Sequence, residues 1–181
     1  MRIIGGSAKG VRLAPVPAGT RPMSDRAREG LFSSLGERVP GARVLDLFSG
    51  TGAIGIEALS RGAAQAVFVD SAPGAAKTIR ENLRRAKLDR QGVVRRLDAL
   101  ATVRQKPGQF DLVFADPPYR LRTAYLEALL EELAGQGVVA PGGLIVLSRS
   151  TKSHIPVIPV NLPLARRLSY GDSIVLVYQA Q

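Results

Sequence analysis

Beyond residue 43 the chain alternates short apolar runs with stretches whose apolar residues recur every three or four positions. That rhythm is the pattern of successive strand and helix units around a mainly parallel sheet covered on both faces. It predicts strands over 44–48, 66–70, 93–98, 112–115 and 144–147, with helices over 53–61, 73–87, a short span after Ala99, and 123–133. After Ser150 the rhythm changes. Pro156, Pro159 and Pro163 interrupt a loop, and 166–170 and 174–178 then flank Gly171-Asp172 as an antiparallel hairpin. Ahead of this α/β core, residues 1–19 read as extended segments broken by Gly5-Gly6, Gly10, Pro15 and Pro17, a small β-hairpin that must lean on something larger. Ser24 is a candidate N-cap for a helix reaching about Leu35, with Ala27, Leu31, Phe32 and Leu35 on one face and Arg26 and Arg28 flanking it toward solvent or a substrate backbone. Gly36, Pro40 and Gly41 mark a boundary, so residues 1–40 form an extension and 41–181 the core. The expected fold is a Rossmann-like α/β domain whose seven-stranded, mainly parallel sheet ends in an antiparallel hairpin.

Composition narrows the chemistry. At 181 residues and 45% hydrophobic content the chain buries one sizeable core. It has no cysteine, which rules out thiol catalysis and Cys-type zinc sites, and its single histidine, His154, makes a histidine metal centre or a serine triad hard to build. His154 falls in the proline-rich loop and reads as a surface residue. With no run of 18 apolar residues and no signal-peptide pattern at Met1, a soluble cytoplasmic monomer without metal or membrane attachment is expected. A net charge of +10 with a pI near 10.8 favours a nucleic-acid partner. Aromatics make up only 5% of residues, so phosphate contact is expected rather than a stacking surface. Arg2, Lys9, Arg12, Arg21, Arg26 and Arg28 are the candidate RNA-binding residues.

Gly50, Gly52 and Gly55 spell G-x-G-x-x-G between a strand and a helix, the layout of a nucleoside-binding turn. Phe48, Ser49, Gly50, Thr51 and Gly52 are candidate cofactor contacts on that turn. Asp46 sharpens the reading, because a carboxylate inside the strand is costly to bury unless paired. The amino group of a methionine moiety would pair it; the alternative is a carboxylate that caps loop amides. Asp70, with Ser71, ends the second strand where an acid can accept from both ribose hydroxyls. Asp98, with Ala99 and Leu100, is placed to meet an adenine edge, or else to N-cap the short helix that follows. The most specific signal is Asp116-Pro117-Pro118-Tyr119 at the end of the fourth strand. Two prolines fix the backbone, so that the Asp116 side chain and a carbonyl accept the hydrogens of a planar exocyclic amine while Tyr119 stacks on its ring. Methyl transfer to such an amine needs mainly alignment.

In order, MRIIGG, RPMSDRAREGLF, LDLFSGTGAIGIEALSRGA and FDLVFADPPY resemble the bacterial 16S ribosomal RNA guanine-N2 methyltransferase family, RsmD-like, over essentially the whole chain and most weakly after Ser150. The resemblance implies a class I S-adenosylmethionine-dependent methyltransferase fold, S-adenosylmethionine as cofactor, and a guanine of 16S rRNA in the small ribosomal subunit, or its assembly intermediate, as substrate. The product would be N2-methylguanine. The family's motifs carry over to Asp46, Gly50, Gly52, Asp70, Asp98 and Asp116 to Tyr119. Asp70 stands where the family usually has Glu, and Met23 where it commonly has Thr.

Other readings share parts of this pattern. A DNA adenine-N6 or protein glutamine methyltransferase would use the same Asp-Pro-Pro-aromatic logic, although no large recognition domain is present. A non-catalytic rRNA-binding assembly factor would not need Asp46 or the DPPY stretch, and a nicotinamide oxidoreductase is disfavoured by Asp46.

Overall fold

The structure, a computed structural model, describes residues 1–15, 22–135 and 137–181, so that Arg21 lies outside the described residues. Helix α1 (Asp25–Leu35) opens where the Ser24 hydroxyl accepts the Ala27 N–H at 3.2 Å, and it ends at Gly36, whose φ of 51° few other residues adopt at low cost. The strands are β1 (Arg43–Leu47), β2 (Gln65–Val69), β3 (Gly92–Arg95), β4 (Phe110–Ala115), β5 (Val139–Ser150), β6 (Leu164–Tyr170) and β7 (Ser173–Gln179). The connecting helices are α2 (Ala53–Ser60), α3 (Ala75–Ala86), α4 (Ala99–Arg104) and α5 (Thr123–Gly135).

The seven strands form one sheet in the order β3-β2-β1-β4-β5-β7-β6. β1 to β5 run parallel, whereas β7 pairs antiparallel with both β5 and β6. The predicted mainly parallel sheet with a terminal hairpin is therefore present. Alternation along β1 sorts the core: Val44 faces the layer holding α1, α2 and α3, and Leu45 and Leu47 face the layer holding α4 and α5. Asp46 shares the Val44 face. The order also reverses direction at β1 and β4, which puts the carboxyl ends of these two strands at the position where open α/β sheets bind ligands.

The N-terminal hairpin is slighter than its sequence suggests, with an isolated bridge between Arg2 and Arg12. What secures it is α2. Glu57, fully buried, accepts the N–H groups of Ile4 and Gly5 at 2.9 Å each. Ser60 accepts the Ala8 N–H at 2.9 Å and donates to the Gly5 carbonyl at 2.5 Å. Ile3, Ala8 and Leu13 join the same buried cluster as α1 and α2.

Arg28 does not face solvent, contrary to the expectation for an RNA contact. Its side chain is 1% exposed and bonds the Arg2 carbonyl at 2.5 Å and Asp25 at 3.1 Å, with Glu57 at 3.6 Å from Nε. Helical spacing placed Arg28 beside the apolar face, but the carboxylate that receives it comes from α2 and is invisible to local pattern. Burial lowers the Arg28 pKa, against which Glu57 and Asp25 act. No helix among the described residues is long and apolar enough to cross a membrane.

Removing Glu57 leaves the Arg28 charge with only the half-exposed Asp25 and strands two backbone donors. Glu57→Ala is expected to destabilise the protein by about 3–5 kcal/mol in urea unfolding. A loss below about 1 kcal/mol would show that the buried cluster does not hold the hairpin.

Candidate active site

The turn after β1 is shaped by three residues in the left-handed region: Phe48 (φ 60°), Gly50 (φ 55°) and Gly52 (φ 79°). Glycine adopts this conformation readily, but Phe48 is held there at a cost, as happens at sites the surrounding fold over-determines. Gly55 has a different reason to be glycine. A Cβ there would lie 2.4 Å from the Phe68 ring and 3.0 Å from Asp46 Oδ2. Its absence lets α2 settle against β1, and the Gly55 N–H donates to Asp46 Oδ2 at 3.0 Å. The Asp46 carboxyl is 1% exposed. Burial pushes its pKa up to about 8, and the Asp116 and Asp70 carboxylates nearby add to the rise against the pull of the Gly55 amide.

Three neighbouring strands carry acids to the same edge of the sheet. Asp70, one residue past β2, accepts the Gly50 N–H through Oδ2 and the Ala72 N–H through Oδ1, at 2.8 Å each. Asp116, one residue past β4, is fixed by the Ser148 side chain and the Met23 N–H, both of which oppose the rise that burial imposes on its pKa. Pro117 is buried, and Tyr119 presents a ring that is 43% exposed. The Pro118 carbonyl accepts the Leu121 N–H at 2.9 Å, closing a tight turn after the two prolines. The edge thus offers a buried acid, a left-handed glycine turn and a proline-fixed acid beside an exposed aromatic ring.

The family described as Conserved hypothetical protein 95 matches residues 1–179. The Ribosomal RNA small subunit methyltransferase D of Escherichia coli (strain K12) is 36% identical to this chain, over all of it and 90% of the relative. The chain belongs to that family. The Haemophilus influenzae member is 32% identical over 99% of this chain and 93% of its own. Among solved structures, yhhF from Escherichia coli superposes with a TM-score of 0.87 at 36% identity, covering 100% of this chain and 98% of that one. The sheet order and the terminal hairpin are those of the Rossmann-like methyltransferase fold.

Within this family fold, several expected residues carry additional or different duties. Ser49 is spent on the sheet: its hydroxyl lies 2.6 Å from the Asp46 carbonyl and 3.1 Å from that of Val69, and accepts the Val69 N–H at 2.9 Å. A hydroxyl so engaged clamps β1 to β2 and has little left for a ligand. Thr51 is buried, and its carbonyl accepts from Asn82 at 2.8 Å. Asp98 N-caps α4 by accepting the Ala101 N–H at 2.9 Å, the alternative its sequence context left open. Ala99 is buried, and the Leu100 N–H donates to the Tyr125 hydroxyl at 3.0 Å. Ser71 is exposed beside Asp70. Arg2, Lys9, Arg12 and Arg26 are exposed, as phosphate contacts must be.

Sequence reasoning missed Asn82, Ser148 and Tyr125. Asn82 had a signal, since it interrupts the apolar stripe Ile79, Leu83 and Ala86 on α3. It accepts the Ala14 N–H at 2.8 Å while donating to Thr51, and so ties the N-terminal segment to the glycine turn. Ser148 sits in an apolar strand next to Leu147, whose partner Ala115 precedes Asp116.

The raised pKa of Asp46 fixes the sign of a pH effect. The folded protein holds a proton on Asp46 up to about pH 8, whereas the unfolded chain loses it near pH 4. The stability this contributes is present below about pH 4 and is lost as pH rises toward 8, by up to about 1.4 kcal/mol per pH unit. In protein without cofactor, Asp46→Asn should remove that slope between about pH 5 and 7.5 in urea unfolding. Parallel slopes for the two proteins would mean that Asp46 is ionised in the fold.

Proposed function

We propose that this protein transfers a methyl group to the exocyclic N2 amine of a guanine in 16S rRNA, within the small ribosomal subunit or its assembly intermediate. The observation that carries this reading is Asp116 held at the end of β4 by Met23 and Ser148, beside the buried Asp46 and next to Tyr119. S-adenosylmethionine, the cofactor, supplies a methyl group on an electrophilic sulfonium.

The residues fit that cofactor on their chemistry. A buried carboxyl at Asp46 with a raised pKa is a ready partner for an amino group, which would draw it into the ionised form. Gly50 and Gly52 leave the backbone of the turn open to close approach. Asp70 retains acceptor capacity toward ribose hydroxyls after bonding Gly50 and Ala72, since each carboxylate oxygen has two lone pairs. Asp98 and the Leu100 region line the adenine side.

On the acceptor side, the Asp116 carboxylate and the Pro117 carbonyl take the two amine hydrogens; the Pro118 carbonyl is already engaged by Leu121. Holding both hydrogens in the pyramidal sense directs the nitrogen lone pair toward the methyl group. Asp116, whose pKa is raised by burial, is suited to accept the proton the amine sheds as the new N–C bond forms. Tyr119 stacks on the splayed guanine. The Met23 contact is made by backbone N–H, so its replacement of the family's usual Thr leaves this fixation intact. Arg2, Lys9, Arg12 and Arg26, together with Arg21, steer the RNA phosphates, and the protein acts as a soluble cytoplasmic monomer.

Small subunits from cells lacking this activity should accept labelled methyl from the wild-type protein. Asp116→Ala should bind S-adenosylmethionine normally while turnover drops about a hundredfold or more. No transfer by the wild type would overturn the function, and undiminished turnover in the variant would overturn the site. Neutralising Lys9, Arg12 and Arg26 should weaken subunit binding and lower its log-salt slope by about one for each phosphate contact removed. An unaltered slope would place the RNA elsewhere.

A further inference from the structure

Tyr125 is a side chain that neither the glycine turn nor the DPPY stretch accounts for. It lies in the first turn of α5, directly after the Asp116–Arg122 segment. Its hydroxyl donates to Asp98 Oδ2 at 2.7 Å and accepts the Leu100 N–H at 3.0 Å. Its ring meets Phe48 edge-on at 6.5 Å and 62°. Three elements of the cofactor side therefore close on one phenol: the strained residue of the glycine turn, the acid after β3, and an amide in the first turn of α4.

The bonds are directional and use the phenol fully. With its single hydrogen on Asp98 and a lone pair on Leu100 N–H, the hydroxyl fixes which way the Asp98 carboxylate turns and leaves Oδ1 to cap α4. Burial and the bond to Asp98 together push the Tyr125 pKa up to about 12, so the phenol stays protonated and a donor at any physiological pH. The edge contact leans on Phe48, which needs external support at φ 60°.

We propose that Tyr125 is a positioning residue that sets the adenine side of the cofactor site and couples it to the acceptor segment 116–122. This inference rests on the reading of the site given above. Its physical basis is covalent continuity: any change in the Asp116–Arg122 turn on seating the target nucleotide is passed to the start of α5, and through Tyr125 to Asp98, Leu100 and Phe48. Cofactor and RNA should then bind with positive coupling, each strengthening the other by the same factor.

The test compares wild type, Tyr125→Phe, which keeps the ring against Phe48, and Tyr125→Leu, which loses both contacts. S-adenosylhomocysteine affinity is measured with and without saturating small subunits, alongside thermal melting. Tyr125→Phe is expected to bind S-adenosylhomocysteine about tenfold more weakly, in line with the loss of a partly buried hydroxyl that bonds two groups. The wild-type coupling factor should collapse toward one, and Tyr125→Leu should fall further. Wild-type affinity and coupling in Tyr125→Phe would overturn the proposal. Weaker binding in proportion to a lowered melting temperature, with coupling retained, would also overturn it by making the role merely structural. Failure of the wild type itself to methylate subunits would instead sink the reading of the site.

Discussion

The close approach of α2 to β1 at Gly55 is the constraint on which the rest of the site depends. Because Gly55 has no side chain, its amide reaches Asp46, and the buried acid gains a donor where its burial would otherwise be prohibitive. The turn between them is then forced through left-handed conformations at Phe48, Gly50 and Gly52. That turn opens toward the carboxyl ends of β1 and β4, and its neighbours Asp70 and Asp116 follow from the parallel register on either side. Burial, and after it the nearby Asp116 and Asp70 carboxyls, raise the pKa of Asp46, a group that a positively charged partner would draw into the ionised form.

The N-terminal segment is tied to the core at three places. Glu57 on α2 holds Ile4 and Gly5, Asn82 on α3 holds Ala14 and Thr51, and the Met23 amide reaches Asp116. Glu57 and Asn82 lie within α2 and α3, so the first two contacts brace the extension on these helices, and only the Met23 amide reaches an acid at a strand end. The extension thus reaches Asp116 of the candidate site while exposing Arg2, Lys9, Arg12 and Arg26.

Strand and helix periodicity made most of the architecture legible from sequence, and the acids at strand ends followed from it. β5 is longer than its apolar run, spanning Val139–Ser150, because Pro141-Gly142-Gly143 reads as a turn yet is carried within the strand. A register shift against β4 between Phe110 and Leu112 accommodates it. The burial of Arg28 and the sheet bonds of Ser49 were hidden for a common reason. Each has a polar group whose partner lies on a different element, Glu57 for the guanidinium and the Val69 backbone for the hydroxyl, and periodicity carries no information about such partners. Tyr125 was hidden likewise, since its bonds to Asp98 and Leu100 span 27 and 25 residues. Local signals reveal which face a residue takes; the chemistry of that face depends on what the topology brings opposite.

We propose that this edge presents a guanine N2 amine to the methyl donor. This is tested most directly by digesting small-subunit RNA after reaction with the wild-type protein and labelled S-adenosylmethionine, then identifying the labelled nucleoside by mass spectrometry. N2-methylguanosine as the labelled product is the expected result. Label in methyladenosine, or at any other position of guanosine, would contradict the account.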